Sequence, residues 1–215
     1  MNKNTRLAWL AASAGLLALS STSALAVTAN DAAGDFVANY TGVKGGDLDV
    51  LSSDVIYNTS TDMFTITATM AAAIGTTQGT FYIWGFDHGG PTANTPFAAL
   101  GAGNVRFNTT LRLNQDGSGT AGSVALPAGT AVISGSTISV TFSGADLPTI
   151  AGGFAKADYT WNLWPRYGGP NPGTQVISDF APDNAMAAIT AVPEPATLAM
   201  MGLGMGVLAL LRRRR

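Results

Sequence analysis

Apolar and polar residues alternate along much of the chain. From Met63 to Met70, Phe64, Ile66, Ala68 and Met70 fall on one face and Thr65, Thr67 and Thr69 on the other, the period of two expected of a half-buried strand. Val105 to Leu113 repeats the pattern, with Val105, Phe107, Thr109, Leu111 and Leu113 opposite Arg106, Asn108, Thr110 and Arg112, and Thr137 to Phe142 alternates likewise. Asp54 to Asn58, Gly79 to Phe86, Gly119 to Leu126, Tyr159 to Trp164 and Thr174 to Phe180 are further strand candidates, with a less regular one at Phe36 to Tyr40. Asn114-Gln115-Asp116-Gly117-Ser118 sets an Asp-Gly pair between two alternating runs and Ser134-Gly135-Ser136 is similar, so both predict tight hairpins. Such short strands, punctuated by glycine and proline, predict an all-β domain over residues 27–180, an antiparallel β-sandwich or jelly roll. Residues 181–191, which hold Pro182 and several alanines, read as a linker.

The two ends follow a different pattern. Lys3 and Arg6 precede an apolar run from Leu7 to Leu19, which gives way to Ser20 to Ser23 and then Ala24-Leu25-Ala26. A charged start, an apolar stretch too short to span a bilayer and small side chains at Ala24 and Ala26 predict a signal peptide over 1–26, cut after Ala26 by signal peptidase. Near the C-terminus, Val192-Pro193-Glu194-Pro195 is followed by uncharged residues from Ala196 to Leu211 and then by Arg212, Arg213, Arg214 and Arg215. As a helix the uncharged run would reach about 24 Å against a hydrocarbon core of ~30 Å, a mismatch that arginine snorkelling reduces. The arginines predict a cytoplasmic end to this single transmembrane helix and place the preceding domain outside, in agreement with the signal peptide. Gly202 and Gly206 form a GxxxG spacing, common by chance in glycine-rich tails. The prolines flanking Glu194 lack N–H donors and hold that segment extended, either as a protease recognition site or as a spacer before a plain anchor.

The order of Val192-Pro193-Glu194-Pro195, glycine-rich apolar helix and terminal arginines resembles the PEP-CTERM sorting signal of exosortase substrates of Gram-negative bacteria. The resemblance is confined to residues 192–215. It implies that a membrane-embedded, cysteine-dependent exosortase recognises and removes the tail. The protein would then pass through an inner-membrane intermediate to the cell surface or the extracellular space, in bacteria that usually also make exopolysaccharide. It implies nothing about the preceding domain, because very different domains carry this tail.

At 215 residues and 47% hydrophobic content the chain can build one domain with a substantial core. The formal charge of −2 hides an asymmetry, since six of the eleven basic residues are Lys3, Arg6 and Arg212 to Arg215. The stretch from Val27 to Pro195 holds five basic residues and all 13 acidic ones, which excludes the electrostatic footprint of a nucleic-acid partner. There is no cysteine, hence no disulfide, thiolate nucleophile or zinc–thiolate site.

Candidate chemistry in the middle is sparse. His88, the single histidine, follows Asp87 in a glycine-rich stretch, where adjacent side chains diverge and no second histidine completes a site, so a surface loop is expected. Aligning Gly117 with the glycine of a calcium loop puts Arg112 at the first ligand position and Ser123 at the last, a register that fails. Asp47, Asp49 and Asp54 are closely spaced carboxylates suited to a weak extracellular calcium site or to solvated loop charges. Rows of Thr and Asn on a strand face could meet a glycan or ice surface, or simply solvent. Phe81, Tyr82 and Trp84, with Tyr159, Trp161, Trp164, Pro165, Arg166 and Tyr167, offer either core or a sugar-stacking platform; Trp161, Trp164 and Tyr167 are the candidate glycan-binding residues. Alternation sends Trp161 and Leu163 to one face and Asn162 and Trp164 to the other. No catalytic residue, metal ligand or cofactor is assigned. The expectation is a non-enzymatic envelope or matrix protein associated with exopolysaccharide or biofilm; the alternatives are a carbohydrate-binding module and, behind it, a secreted hydrolase whose two carboxylates lie far apart in sequence.

Overall fold

The computed structural model describes residues 27–91, 93–169 and 176–192. The predicted signal peptide and the sorting tail beyond Val192, with its transmembrane helix and arginines, lie outside the described residues. Among these, no helix is long and apolar enough to cross a membrane.

The strands in chain order are β1 (Ala29–Asn30), β2 (Val50–Asn58), β3 (Met63–Met70), β4 (Thr80–Asp87), β5 (Thr109–Asn114), β6 (Gly119–Ala121), β7 (Val124–Ala125), β8 (Ala131–Ser134), β9 (Thr137–Ser143), β10 (Thr160–Tyr167), β11 (Ala187–Ala188) and β12 (Thr190–Val192). One sheet runs β1-β2-β3-β9-β8 with β12 also on β2, and the other runs β11-β10-β4-β5-β6-β7. Every pairing is antiparallel except β12 with β2.

The alternation in sequence decides which face goes inward. Phe64, Ile66, Ala68 and Met70 of β3 and Ile138, Val140 and Phe142 of β9 meet Tyr82, Trp84 and Phe86 of β4, Leu111 and Leu113 of β5 and Trp161 and Leu163 of β10 in one buried core. Trp84 Nε1 crosses it to donate to Ser53 Oγ at 3.1 Å, and that hydroxyl donates to the Thr67 carbonyl at 2.7 Å. The polar face of the first sheet carries the threonine rows, with Thr65 opposite Thr141, Thr67 opposite Ser139 and Thr69 opposite Thr137.

Around Ile83 and Trp164 the second sheet is buried on both faces, which simple alternation does not predict. Its outer face holds Ile83 and Trp164, covered by Ala102, Val105, Ile177 and Phe180. Phe97 meets the Trp164 ring edge-on at 5.0 Å, and Phe107 lies 4.9 Å away. The indole rests on Gly85, where a Cβ would collide with it. That close approach requires glycine.

Several sequence expectations are corrected. The linker assigned to 181–191 is part of the fold: Ala181 bonds reciprocally with Leu163, Ile189 is in the core, β11 lies within this stretch and β12 begins in it. Alanine-rich composition misled because short strands on a sheet edge need few large side chains. Phe36 to Tyr40 forms no strand; Phe36 and Tyr40 stack at 6.0 Å instead. Gly119 to Leu126 breaks at Gly122, whose φ of 55° separates β6 from β7. In the described part of Thr174 to Phe180, Ile177 bridges Arg166 of β10 without forming a continuous strand.

Candidate functional site

Five carboxylates from separate parts of the chain converge. Asp31 follows β1, and the turn after it passes through Gly34 at φ 84° to reach Asp35. Asp49 caps a 3-10 helix over Gly46–Leu48. Asp179 and Asp183 flank the segment that bonds to Leu163. Asp31, Asp35 and Asp183 form one group, and Asp35, Asp49 and Asp179 another; within each, one oxygen per residue lies within 4.8 Å of the others.

Backbone donors fix two of these side chains. Asp49 Oδ2 accepts from Gly34 N at 2.9 Å, while Asp179 accepts from Val50 N and Phe180 N, each at 2.8 Å. Asp49 is only 5% exposed, yet its Oδ1 has no hydrogen-bond partner, and neither do the buried Asp31 Oδ2 and Asp35 Oδ1. Burial, then the charges of Asp179, Asp35 and Asp183, pushes the Asp31 carboxyl up to about 8. Asp179 is raised to about 7, by burial first and then by Asp35 and Asp49, against its two backbone donors. Among the described residues the ion pairs are Arg106–Asp87 and Lys156–Asp62, so neither neutralises this cluster.

The sequence grouping of Asp47, Asp49 and Asp54 is not brought together. Asp47 accepts from Thr77 N at 2.8 Å, Asp54 accepts from the Thr67 hydroxyl, and Asp49 alone turns to the cluster. The other four members escaped sequence reading because they are separated by turns and strands. The signal available was a strongly acidic body with few bases, together with the Asp31-Ala32-Ala33-Gly34-Asp35 turn. Asp116, in the turn whose calcium-loop register fails, closes its hairpin by accepting from Ser118 N at 2.9 Å.

Trp161, Trp164 and Tyr167 are 0%, 2% and 7% exposed. Stacking on sugar requires an exposed ring face, so these three supply core and not a platform. The predicted split of Trp161 and Leu163 from Trp164 holds, but each face has its own core. His88 is likewise no surface residue: at 2% exposure it stacks on Tyr159 with centroids 4.1 Å apart. Burial lowers its imidazole to about 4, opposed by a hydrogen bond to the Pro148 backbone and by the charge of Asp87. Asp87 itself binds Arg106 Nε at 2.6 Å and Gly89 N at 2.8 Å.

A basic spot exists on the acidic body. Arg112 lies 4.1 Å and Arg166 5.6 Å from the Phe81 ring centroid. Phe81 and Arg112, with Asn114, Gln115 and Asp116, line a shallow groove on the second sheet.

Both ends of the described chain lie along one edge of β2. β1 pairs its first half, Ala29 with Ser53 and Asn30 with Ser52, and β12 pairs its second half, Thr190 with Ile56, Ala191 with Tyr57 and Val192 with Asn58. Thr59 N then bonds the Val192 carbonyl at 3.1 Å. Residues 191–215 match the family model described as PEP-CTERM protein-sorting motif. The tail is a PEP-CTERM sorting motif. No curated protein and no solved structure matches the chain. The PEP-CTERM match therefore begins on Ala191, a residue of β12.

Proposed function

We propose that this chain is an exported, non-enzymatic β-sandwich protein that an exosortase-type protease releases from an inner-membrane intermediate to the cell surface or extracellular matrix. The observation carrying this reading is the PEP-CTERM match over 191–215, directly behind a folded domain. Signal peptidase acts first, at Ala24 and Ala26, and Arg212 to Arg215 stop transfer while Pro193, Glu194 and Pro195 are engaged. Fractionation of a host with and without its exosortase tests this: surface protein is expected with the enzyme and inner-membrane retention without it. Equal distribution in both hosts would overturn it.

Association with acidic exopolysaccharide is the finer part of the reading. Its favoured place is the groove lined by Phe81 and Arg112, with Arg166 close to the same aromatic ring, and not the buried tryptophans. Retention on an acidic polysaccharide gel that is lost in Arg112→Ala supports it. Turnover of labelled polysaccharide by the purified protein would contradict the non-enzymatic role.

A further inference from the structure

We propose that Asp31, Asp35, Asp49, Asp179 and Asp183 form a calcium site where the turn after β1, the approach to β2 and the segment after β10 meet. The inference stands apart from processing of the tail.

The first observation is geometric. Two carboxylate triplets share Asp35, and the oxygens within each lie no more than 4.8 Å apart. Oxygens bound to calcium at 2.3–2.6 Å can be separated by up to about 5 Å across the ion, whereas magnesium at 2.0–2.1 Å demands a cage only about 4 Å across. All the ligands are hard oxygens and none is nitrogen or sulfur, which favours calcium over zinc or copper.

The second observation is the state of the individual atoms. A buried carboxylate oxygen without a partner loses hydration and gains nothing in return. Here Asp49 is only 5% exposed and its Oδ1 has no partner, while Asp35 Oδ1 and Asp31 Oδ2 are buried, unpartnered atoms of less deeply buried residues. Gly34 N holds Asp49 by its other oxygen, so the unpartnered one is fixed in place. Asp179 is held by both oxygens, Oδ2 accepting from Val50 N and Oδ1 from Phe180 N. Neither ion pair among the described residues reaches the cluster. A divalent cation would satisfy the orphaned oxygens and remove the mutual repulsion together. The rival is proton sharing among the carboxyl groups, which needs no metal.

The test uses the full chain, purified in detergent from a Gram-negative host and stripped with EDTA. Calcium chloride is titrated calorimetrically, and thermal unfolding is followed in calcium, in magnesium and in EDTA. The expected results are a dissociation constant below about 1 mM and an unfolding temperature that rises with calcium and less with magnesium. Asp35→Asn, common to both triplets, and Asp183→Asn, on an exposed residue, should each weaken calcium at least about tenfold, since affinity follows ligand charge count. In EDTA both variants should unfold at or above the parent's temperature, because each removes a repelling charge; this separates lost binding from a damaged fold. Asp116→Asn, remote from the cluster, should bind calcium as the parent does. Absence of a calcium response in the parent, an equal response to magnesium, or parent-like affinity in both Asp35→Asn and Asp183→Asn would overturn the proposal.

Discussion

The backbone N–H of Val27 donates to Thr190 Oγ1 at 2.7 Å, across 163 residues of chain. Val27 is where the Ala24-Leu25-Ala26 site predicts the mature chain to begin, and Thr190 opens the strand that leads into the sorting motif. Val27 and Thr190 are thus joined although they lie near opposite ends of the described chain. The exported protein is predicted to start at Val27 by intact mass. Thr190→Val should leave that terminus unchanged and lower stability by about 1 kcal/mol, the net worth of one such hydrogen bond.

If residues 181–192 are part of the fold, Ile189 should behave as core. It is buried in the central cluster, so Ile189→Ala is predicted to cost about 2–5 kcal/mol in denaturant unfolding. A loss within experimental error would return this stretch to linker status.

His88 makes a pH prediction whose sign is fixed by burial. Its folded value of about 4 lies below the ordinary 6.5, so the unfolded chain takes up the proton first as pH falls. The stability from keeping it neutral is complete above pH 6.5 and lost as pH drops through 4, an amount on the order of 3 kcal/mol. The groups acting on it are Asp87, Lys156 and the Pro148 backbone, with Tyr159 stacked on its ring. Without a bound cation, Asp31 and Asp179, raised to about 8 and about 7, act oppositely and lose stabilisation as pH rises through those values. The His88 share is therefore read as the difference between parent and His88→Phe, which keeps a flat ring and removes the titration. Parallel stability curves for the two between pH 7 and pH 4 would contradict it.

The strands with strict alternation were legible in sequence. β3 occupies the predicted Met63–Met70 and β9 extends the predicted run by one residue, because one face of their sheet meets the core and the other does not. The second sheet was harder to read. Once loops cover its outer face, Trp164 and Ile83 are buried, as Trp161 and Trp84 are on the inner one, and neither composition nor period distinguishes that from a solvent-facing platform. Edge strands such as β11 and β12 carry small side chains and depend on the partner strand, so local pattern cannot announce them. The carboxylate cluster joins residues as distant as Asp31 and Asp183 and becomes visible only when the chain is folded. The tail motif was legible because it is local and ordered in sequence, which is also how a sorting protease must read it.

The most direct test of the sorting claim is the C-terminal peptide of the released protein, identified by mass spectrometry in a host that has the exosortase. The parent should lack Leu198 to Leu211 in its surface form, and Glu194→Ala or Pro195→Ala should be exported but accumulate uncleaved in the inner membrane. Deleting Arg212 to Arg215 should instead release protein that still carries its apolar tail, since the short helix loses its positive stop. A parent that keeps Leu198 to Leu211 at the surface, or motif variants processed as well as the parent, would contradict exosortase sorting and leave an ordinary tail-anchored envelope protein.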